Sequence, residues 1–136
     1  MIYSYRDLEV WKKGKDITRE VYKTTSSFPK EELYGLVSQM RRSAVSIPAN
    51  IAEGNGRNSS KEYLYHLSVA YGSLCELETH IIIAQELGMM DETPASSLLK
   101  TAGELGRMLN GLQRKITEKT TSNPRSLTSD PTKESL

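Results

Sequence analysis

The sequence contains one cysteine, Cys75, in 136 residues. A single thiol cannot close an internal disulfide, and it excludes the zinc sites that several cysteines build. Histidine is almost as scarce, since only His66 and His80 are present. We therefore expect no disulfide, no metal and no cofactor.

An excess of charge of one sign is also absent, because 18 basic residues nearly balance 17 acidic ones. This balance argues against a protein that binds nucleic acid or membranes through its net charge. The apolar run at residues 81–84 is too short to cross a bilayer, which needs about 20 residues. The N-terminal stretch "MIYSYRDLEVWKKGK" has no signal-peptide core. We expect a cytoplasmic protein without membrane contact.

The C-terminal stretch "TTSNPRSLTSDPTKESL", residues 120–136, is rich in Ser, Thr and Pro and has little apolar surface to bury. Such a composition predicts a disordered tail. Residues 1–119 are then long enough for one domain with a hydrophobic core and too short for two.

Apolar or small residues recur at alternating steps of three and four in four segments of that domain. The sets are Val10, Gly14, Ile17, Val21; Leu33, Val37, Met40, Ala44, Ile47, Ile51; Tyr63, Leu67, Ala70, Leu74, Leu77, Ile81, Ala84; and Leu98, Ala102, Leu105, Leu109, Leu112, Ile116. This spacing keeps each set on one helix face, and no long stretch alternates with the period of a strand. The pattern predicts an all-α fold of four helices around one core.

Residues typical of helix ends separate the four segments. The signals are Pro29 in the first turn of the second helix, Gly54 and Gly56 as candidates for left-handed conformations after it, Ser59 or Ser60 as cap of the third, Gly88 after the third and Asp91 as cap of the fourth. The connections are short, so neighbours in sequence should be antiparallel. We expect an up-down-up-down four-helix bundle.

The stretch "RRSAVSIPANIAEGNGR" has a proline, Pro48, inside the second helical pattern and no charge across residues 43–52. Proline lacks the N–H that would bond the carbonyl of Ala44. The apolar period continues across it, and Ile47 would be a poor cap for a new helix. We predict one helix kinked at Pro48, with Asn50 bonding backbone groups near the kink, including the Ala44 carbonyl.

The outer stripes of the second and third helices carry no charge. In the third helix the stripe is Tyr65, Ser68, Gly72, Cys75 and Thr79, and the second helix has Gly35, Ser38, Ser46 and Ala49 away from its core. One interpretation is a weakly polar solvent face. The other is a second contact face, on which small side chains let another subunit approach. We expect an oligomer interface formed by Ser46, Ala49, Asn50, Tyr65, Ser68, Gly72, Cys75 and Thr79.

Both histidines follow a glutamate by four residues in the third helix, as Glu62–His66 and Glu76–His80. Di-iron bundles use Glu-x-x-His on two helices together with two further glutamates. Here the spacing is Glu-x-x-x-His, both copies lie on one helix, and the first and fourth helices offer no inward histidine. Pairs on a helix flank are the expected role of these residues. No catalytic motif is present, so we expect no enzymatic activity.

Six basic residues are candidates for a phosphate-binding surface: Lys12, Lys13, Arg41, Arg42, Arg57 and Lys61. Alternatively they lie on solvated helix faces, with Arg41 or Arg42 pairing with Glu76 or Glu78 of the neighbouring helix. Phosphate binding would become strong only when an oligomer multiplies the surface.

The segments "YRDLEVWKKG", "LVSQMRRSAVSIPANIAEGNGR", "KEYLYHLSVAYGSLCELETHI" and "ELGRMLNGL" resemble the 23S rRNA intervening-sequence proteins over residues 3–115. The matching positions are Arg41, Arg42, Ser46, Pro48, Asn50, Glu53, Gly54, Arg57, Gly72, Ser73, Leu74, Glu76, Leu77 and Glu78. The resemblance implies a helical bundle that assembles into a cyclic pentamer. It also implies kinship with the accessory variability protein of diversity-generating retroelements, a basic pentamer associated with nucleic acid and reverse transcriptase. It implies no catalytic residue.

Two functions are therefore expected from the sequence. The first is a non-enzymatic, homo-oligomeric bundle that acts as a scaffold or adaptor, with other copies of itself and a further protein as partners. The second is a protein that binds structured RNA, or DNA, through the basic surface of the assembled oligomer.

Overall fold

The structure, a computed structural model, describes residues 4–122. Its α-helices are α1 (Glu9–Thr25), α2 (Leu36–Asn55), α3 (Ser60–Glu86) and α4 (Glu92–Ser122), and single 3-10 turns at Tyr5–Asp7 and Lys30–Glu32 precede α1 and α2. Over residues 4–122 there is no strand. The prediction of an all-α fold with four helices is confirmed. In the same range, no helix has the length and apolarity that a membrane span requires.

The predicted tail starts at residue 120, but α4 continues to Ser122. Thr120 is buried, and its Oγ1 donates to the carbonyl of Ile116 at 2.7 Å. Residues 123–136 of the predicted tail lie outside the described residues.

The core lies between the four helices, where α1 packs against α2 and α4 and α3 packs against the same two helices. The predicted stripes fill it. The predicted members that are buried in α1 and α3 are Val10, Gly14, Ile17, Val21, Leu67, Ala70, Leu74, Leu77, Ile81 and Ala84. Thr25 of α1 is buried as well, and Tyr63 of the predicted α3 set is half-buried. Leu33 was expected in the core and is instead 48 % exposed, because it precedes the first residue of α2 and so lies off the helical stripe.

The helix ends follow the sequence signals in part. Ser59 caps α3, where its hydroxyl accepts from the amide of Glu62, and Gly88 has a positive φ of 76° after α3. Gly56 was a candidate for a left-handed conformation and has a right-handed one, with φ −80°. Pro29 precedes the 3-10 turn rather than the first turn of α2. The carboxylate of Glu32 accepts from the first amide of α2 instead, at 3.1 Å.

Gly54 was the other candidate for a left-handed conformation, and it lies buried inside α2. A Cβ at this position would lie 2.7 Å from Cβ of His66 and 3.1 Å from Cδ1 of Tyr63, both on α3. Distances this short require the two helices to move apart. Gly54 is therefore needed for the close approach of α2 and α3.

Helix α2 continues through Pro48 as one element. The carbonyl of Ala44 has no amide to bond in its own helix, and Thr18 of α1 supplies the donor. Its Oγ1 lies 3.0 Å from the Ala44 oxygen and 2.9 Å from the Gly14 oxygen. A Cβ at Gly14 would lie 3.3 Å from Cγ2 of Ile47 and 3.5 Å from Cδ of Pro48. The absence of a side chain at Gly14 thus lets α1 come close enough for this bond.

Asn50 was expected to bond the carbonyl of Ala44 and does not. Its Nδ2 donates to the carbonyl of Ser46 at 2.9 Å, one helical turn before it. Asn50 thus bonds a backbone carbonyl near Pro48, as expected, but that carbonyl belongs to Ser46. The Ala44 carbonyl, which Pro48 leaves without an amide donor, accepts from Thr18 of α1 instead.

Replacing Thr18 by valine is expected to destabilise the protein by about 1–3 kcal/mol, because Ala44 is fully buried and its carbonyl would lose its donor. In the background of Pro48→Ala, the new amide at position 48 can bond that carbonyl, so Thr18→Val should cost less. A double-mutant cycle from denaturant unfolding measures the difference. Equal costs in both backgrounds would show that the hydroxyl does not compensate for the proline.

Candidate functional site

The uncharged stripe of α3 faces away from the core. Tyr65, Ser68, Gly72, Cys75 and Thr79 are all exposed, Tyr65 by 63 %. No atom lies within 4 Å of the position that a Cβ on Gly72 would take. The stripe is therefore not covered by any other part of the described chain.

The residues of α2 that were grouped with this stripe differ in their surroundings. Ala49 is exposed, whereas Ser46 and Asn50 are half-buried against α3. Oγ of Ser46 lies 2.8 Å from Oγ of Ser73, and Nδ2 of Asn50 donates to Oγ of Ser46 at 3.1 Å. Ser46 and Asn50 thus already bond within their own chain, and Ala49 is the member of the three with a free surface.

A chain of polar contacts continues from Asn50 across the α2–α3 contact. Its Oδ1 lies 3.1 Å from Nδ1 of His66. Because Nδ2 of Asn50 donates to Ser46, Oδ1 must accept, so the proton of the neutral His66 ring lies on Nδ1. Nε2 of His66 then faces Oε2 of Glu53 at 3.7 Å. The arrangement fixes the orientation of the imidazole between the two helices.

Glu53 ends this polar chain at the surface. Arg57 donates to its Oε2 at 2.7 Å. The hydrogen bond from Arg57 lowers the pKa of Glu53 below its ordinary value, and the positive charge of His66 adds to this effect whenever its ring is protonated. The sequence had paired His66 with Glu62, four residues earlier in α3, but its carboxylate partner is Glu53 of α2.

The second predicted histidine pair is present, since Nε2 of His80 lies 3.7 Å from Oε2 of Glu76. Burial lowers the pKa of His80, against the opposing effect of the Glu76 carboxylate. Nδ1 of His80 lies 3.5 Å from Oγ of Ser43, which is fully buried. A serine that no substrate reaches cannot act as a nucleophile. Among residues 4–122, no group of three or more metal-binding side chains comes together.

The six basic candidates are spread over α1, α2, the α2–α3 turn and the start of α3. Most of them contact acidic groups or backbone of the same chain: Lys12 with Glu9 at 3.3 Å, Lys13 with Glu104 at 3.3 Å, Arg57 with Glu53 at 2.7 Å, and Arg42 with Glu76. The pair of Arg42 with Glu76 is one that the sequence offered as the alternative to phosphate binding. Lys61 is half-buried in the first turn of α3.

Arg41 joins the end of α1 to α2. Its Nε donates to Oγ1 of Thr25 at 3.0 Å and its Nη2 to the carbonyl of Tyr22 at 3.3 Å. The guanidinium also lies 4.5 Å from the centre of the Tyr22 ring. Cations stabilise the C-terminal end of a helix, so this side chain has a structural function at the end of α1.

Sequence reasoning missed a groove of about 600 Å³ between α1, the segment before α2, and α2. We call it the Tyr34 groove. Four side chains that line it are exposed despite their size: Tyr22, Leu33, Tyr34 and Val45, with Tyr34 exposed by 92 %. The signal in the sequence was "EELYG", where two large residues stand directly before a glycine and Tyr34 lies outside the helical period.

The family model of the 23S rRNA-intervening sequence protein matches residues 6–111. The chain belongs to this family. The matched range includes α1, α2 and α3 whole, and so both the uncharged stripe and the polar chain between α2 and α3 lie inside it. A search of curated proteins finds no match. The kinship with the accessory variability protein of diversity-generating retroelements stays a prediction.

Proposed function

We propose that this member of the 23S rRNA-intervening sequence protein family is a non-enzymatic scaffold or adaptor that assembles with copies of itself in the cytoplasm. The observation that carries the proposal is the exposed, uncharged stripe of α3 with Gly72 at its middle. Glycine inside a helix costs about 1 kcal/mol relative to alanine. An exposed glycine in such a position is understandable where another helix has to come close.

The proposed assembly is a ring of bundles with up-down-up-down helix order. The contacts between α2 and α3 support this order for one pair of helices. Residue numbers rise along α2 while those of the contacted α3 residues fall, so these two helices run antiparallel. The contacts are Ser43 with His80, Ser46 with Ser73 and Asn50 with His66. We further propose that α2 bends at Pro48 and that the bend aims its exposed residues at the neighbouring bundle. A contact between two different patches closes into a ring, and the family resemblance favours five subunits.

The mass of the protein in solution tests this proposal. Light scattering after gel filtration should give about five times the chain mass of 15.3 kDa at micromolar concentration. A monomer under these conditions would contradict the proposed function, because the stripe would then have no partner of its own kind.

The alternative function is binding of structured RNA, or of DNA, by the assembled oligomer. Its support is the exposure of several basic side chains, of which Arg42, Lys12 and Arg57 expose 59, 48 and 44 %. Of their carboxylate partners, Glu9 and Glu53 are exposed and Glu76 is half-buried, so a phosphate can compete for these basic side chains. Exposed ion pairs contribute little, about 0–1 kcal/mol, and are readily exchanged.

If the alternative is right, affinity for a structured RNA should fall steeply with salt, because each bound phosphate releases counterions. Changing Lys12, Arg42 and Arg57 together to glutamine should flatten the slope of log K against log salt by about 0.7–0.9 for each phosphate that is no longer bound. Lys100→Gln, on the exposed side of α4, is the control and should leave the slope unchanged. No detectable binding at about 50 mM salt would favour the scaffold instead.

A further inference from the structure

The Tyr34 groove has the character of an interaction surface. Its exposed members are large, with Tyr22 exposed by 44 %, Leu33 by 48 % and Val45 by 42 % beside the almost free Tyr34. Clustered exposure of such side chains marks a contact site more often than an ordinary solvent face. The lining residues belong to α1, α2 and the segment between them, and none belongs to α3.

A second apolar surface lies at the end of α3. Ile82, Ile83 and Leu87 are exposed by 45, 39 and 62 %, and Glu86 between them is exposed as well. We call these four residues the α3 end surface. None of these four residues lines the Tyr34 groove, so one chain offers both surfaces at once.

The two surfaces are complementary in charge. Glu86 ends α3, where the helix dipole is negative and a carboxylate is unfavourable. The last turn of α3 has no basic residue, and in the described part of the chain Glu86 has no ion-pair partner. The Tyr34 groove carries Arg41 and Arg42, and the hydrogen bonds of Arg42 use Nη2 alone. A guanidinium with unused donors thus lies in one surface, and an unpaired carboxylate lies in the other.

We infer that the α3 end surface of one copy docks into the Tyr34 groove of the next copy, with Ile83 and Leu87 against Tyr34 and Glu86 beside the arginines. This inference rests on the proposed self-assembly and extends its contact face, because Ile82 and Glu86 are exposed and continue the α3 stripe beyond Thr79 at steps of three and four. The occupant is a second copy because the complementary surface is present and uncovered on the same chain. Two different patches make the contact head-to-tail rather than two-fold symmetric.

Cross-linking between two tagged forms of the full chain tests the inference. Both forms carry Cys75→Ser, which removes the exposed native thiol. One form then carries Tyr34→Cys and the other Ile83→Cys, and the mixed assembly is treated with a short bismaleimide. The expected product is a cross-link between chains with different tags. The control replaces Ile83→Cys by Lys115→Cys, an exposed position on α4 that should give no product.

The outcomes separate this inference from the proposed function. An oligomer that gives no cross-link between positions 34 and 83 overturns the inference and leaves self-assembly standing. Cross-links between two chains that both carry Tyr34→Cys would mean a symmetric contact and also overturn it. A monomeric mass overturns both. If Tyr34→Ala abolishes RNA binding while the oligomer persists without the cross-link, the groove belongs to nucleic acid and the inference is wrong.

Discussion

Alanine in place of Gly54 is expected to destabilise the bundle by about 1–3 kcal/mol, although alanine favours helices more than glycine does. The added methyl would lie 2.7 Å from Cβ of His66 and 3.3 Å from the carbonyl oxygen of Tyr63. Neither atom is at the end of a flexible side chain, so α3 itself has to shift. That shift would also lengthen the bond between His66 and Asn50, which is 3.1 Å. Denaturant unfolding measures the loss of stability.

Gly72→Ala is the matched control, because it makes the same chemical change in a helix where nothing lies within 4 Å. It should stabilise the folded chain by about 1 kcal/mol through helix propensity alone. If Gly54→Ala proved as stabilising as Gly72→Ala, the close approach of α2 and α3 would not depend on Gly54.

The core could be predicted from the sequence because each helix contributes a stripe with a regular period. Leu74, Leu77 and Ile81 are buried for the same geometric reason that their spacing is three and four residues. Leu33 continued that period in the sequence but lies before α2, where the chain is not helical. A period identifies the face of a helix and does not show where the helix begins.

Pairings between helices were harder to predict. The sequence indicated that Pro48 leaves the carbonyl of Ala44 without a partner, yet Asn50, two residues after the proline, already bonds Ser46, and the donor is Thr18 of α1. In the same way, the partner of His66 is Glu53 rather than the neighbouring Glu62. Spacing along one helix describes only pairs within that helix. Which residues of two different helices meet depends on how far the helices are shifted along their axes and how each is rotated. The spacing of residues along one helix does not contain this information.

The basic residues show a further limit of sequence reasoning. Arg41 and Arg42 are adjacent and look alike, but Arg41 holds the end of α1 while Arg42 is 59 % exposed beside Glu76. Consecutive helical residues point about 100° apart, so neighbours in sequence have different surroundings. Removing Arg41 would therefore disturb the fold, and Arg42 is the better residue with which to test phosphate binding.

The largest change in assembly is expected from Gly72→Arg. The position is exposed, and no atom lies within 4 Å of the place that a Cβ would occupy, so an arginine fits without touching the core. Arginine also favours helix more than glycine does. On a small, uncharged contact face, however, it would place a charge and a long side chain between two bundles. We expect a folded, helical monomer or small oligomer by light scattering. Gly72→Ala, which adds one uncharged methyl, should weaken assembly less than Gly72→Arg does.

Leu74→Ala should have the opposite effects, because Leu74 is only 2 % exposed and lies two residues from Gly72 on the inner side of α3. Truncating a buried leucine costs about 2–5 kcal/mol, so this variant should unfold at lower denaturant while the folded fraction still assembles. Light scattering and denaturant unfolding on both variants separate the two faces of α3. If Gly72→Arg kept the mass of the unmodified oligomer, the stripe would not be the contact face. If Leu74→Ala dissociated the oligomer and Gly72→Arg did not, assembly would depend on the stability of each bundle rather than on the stripe.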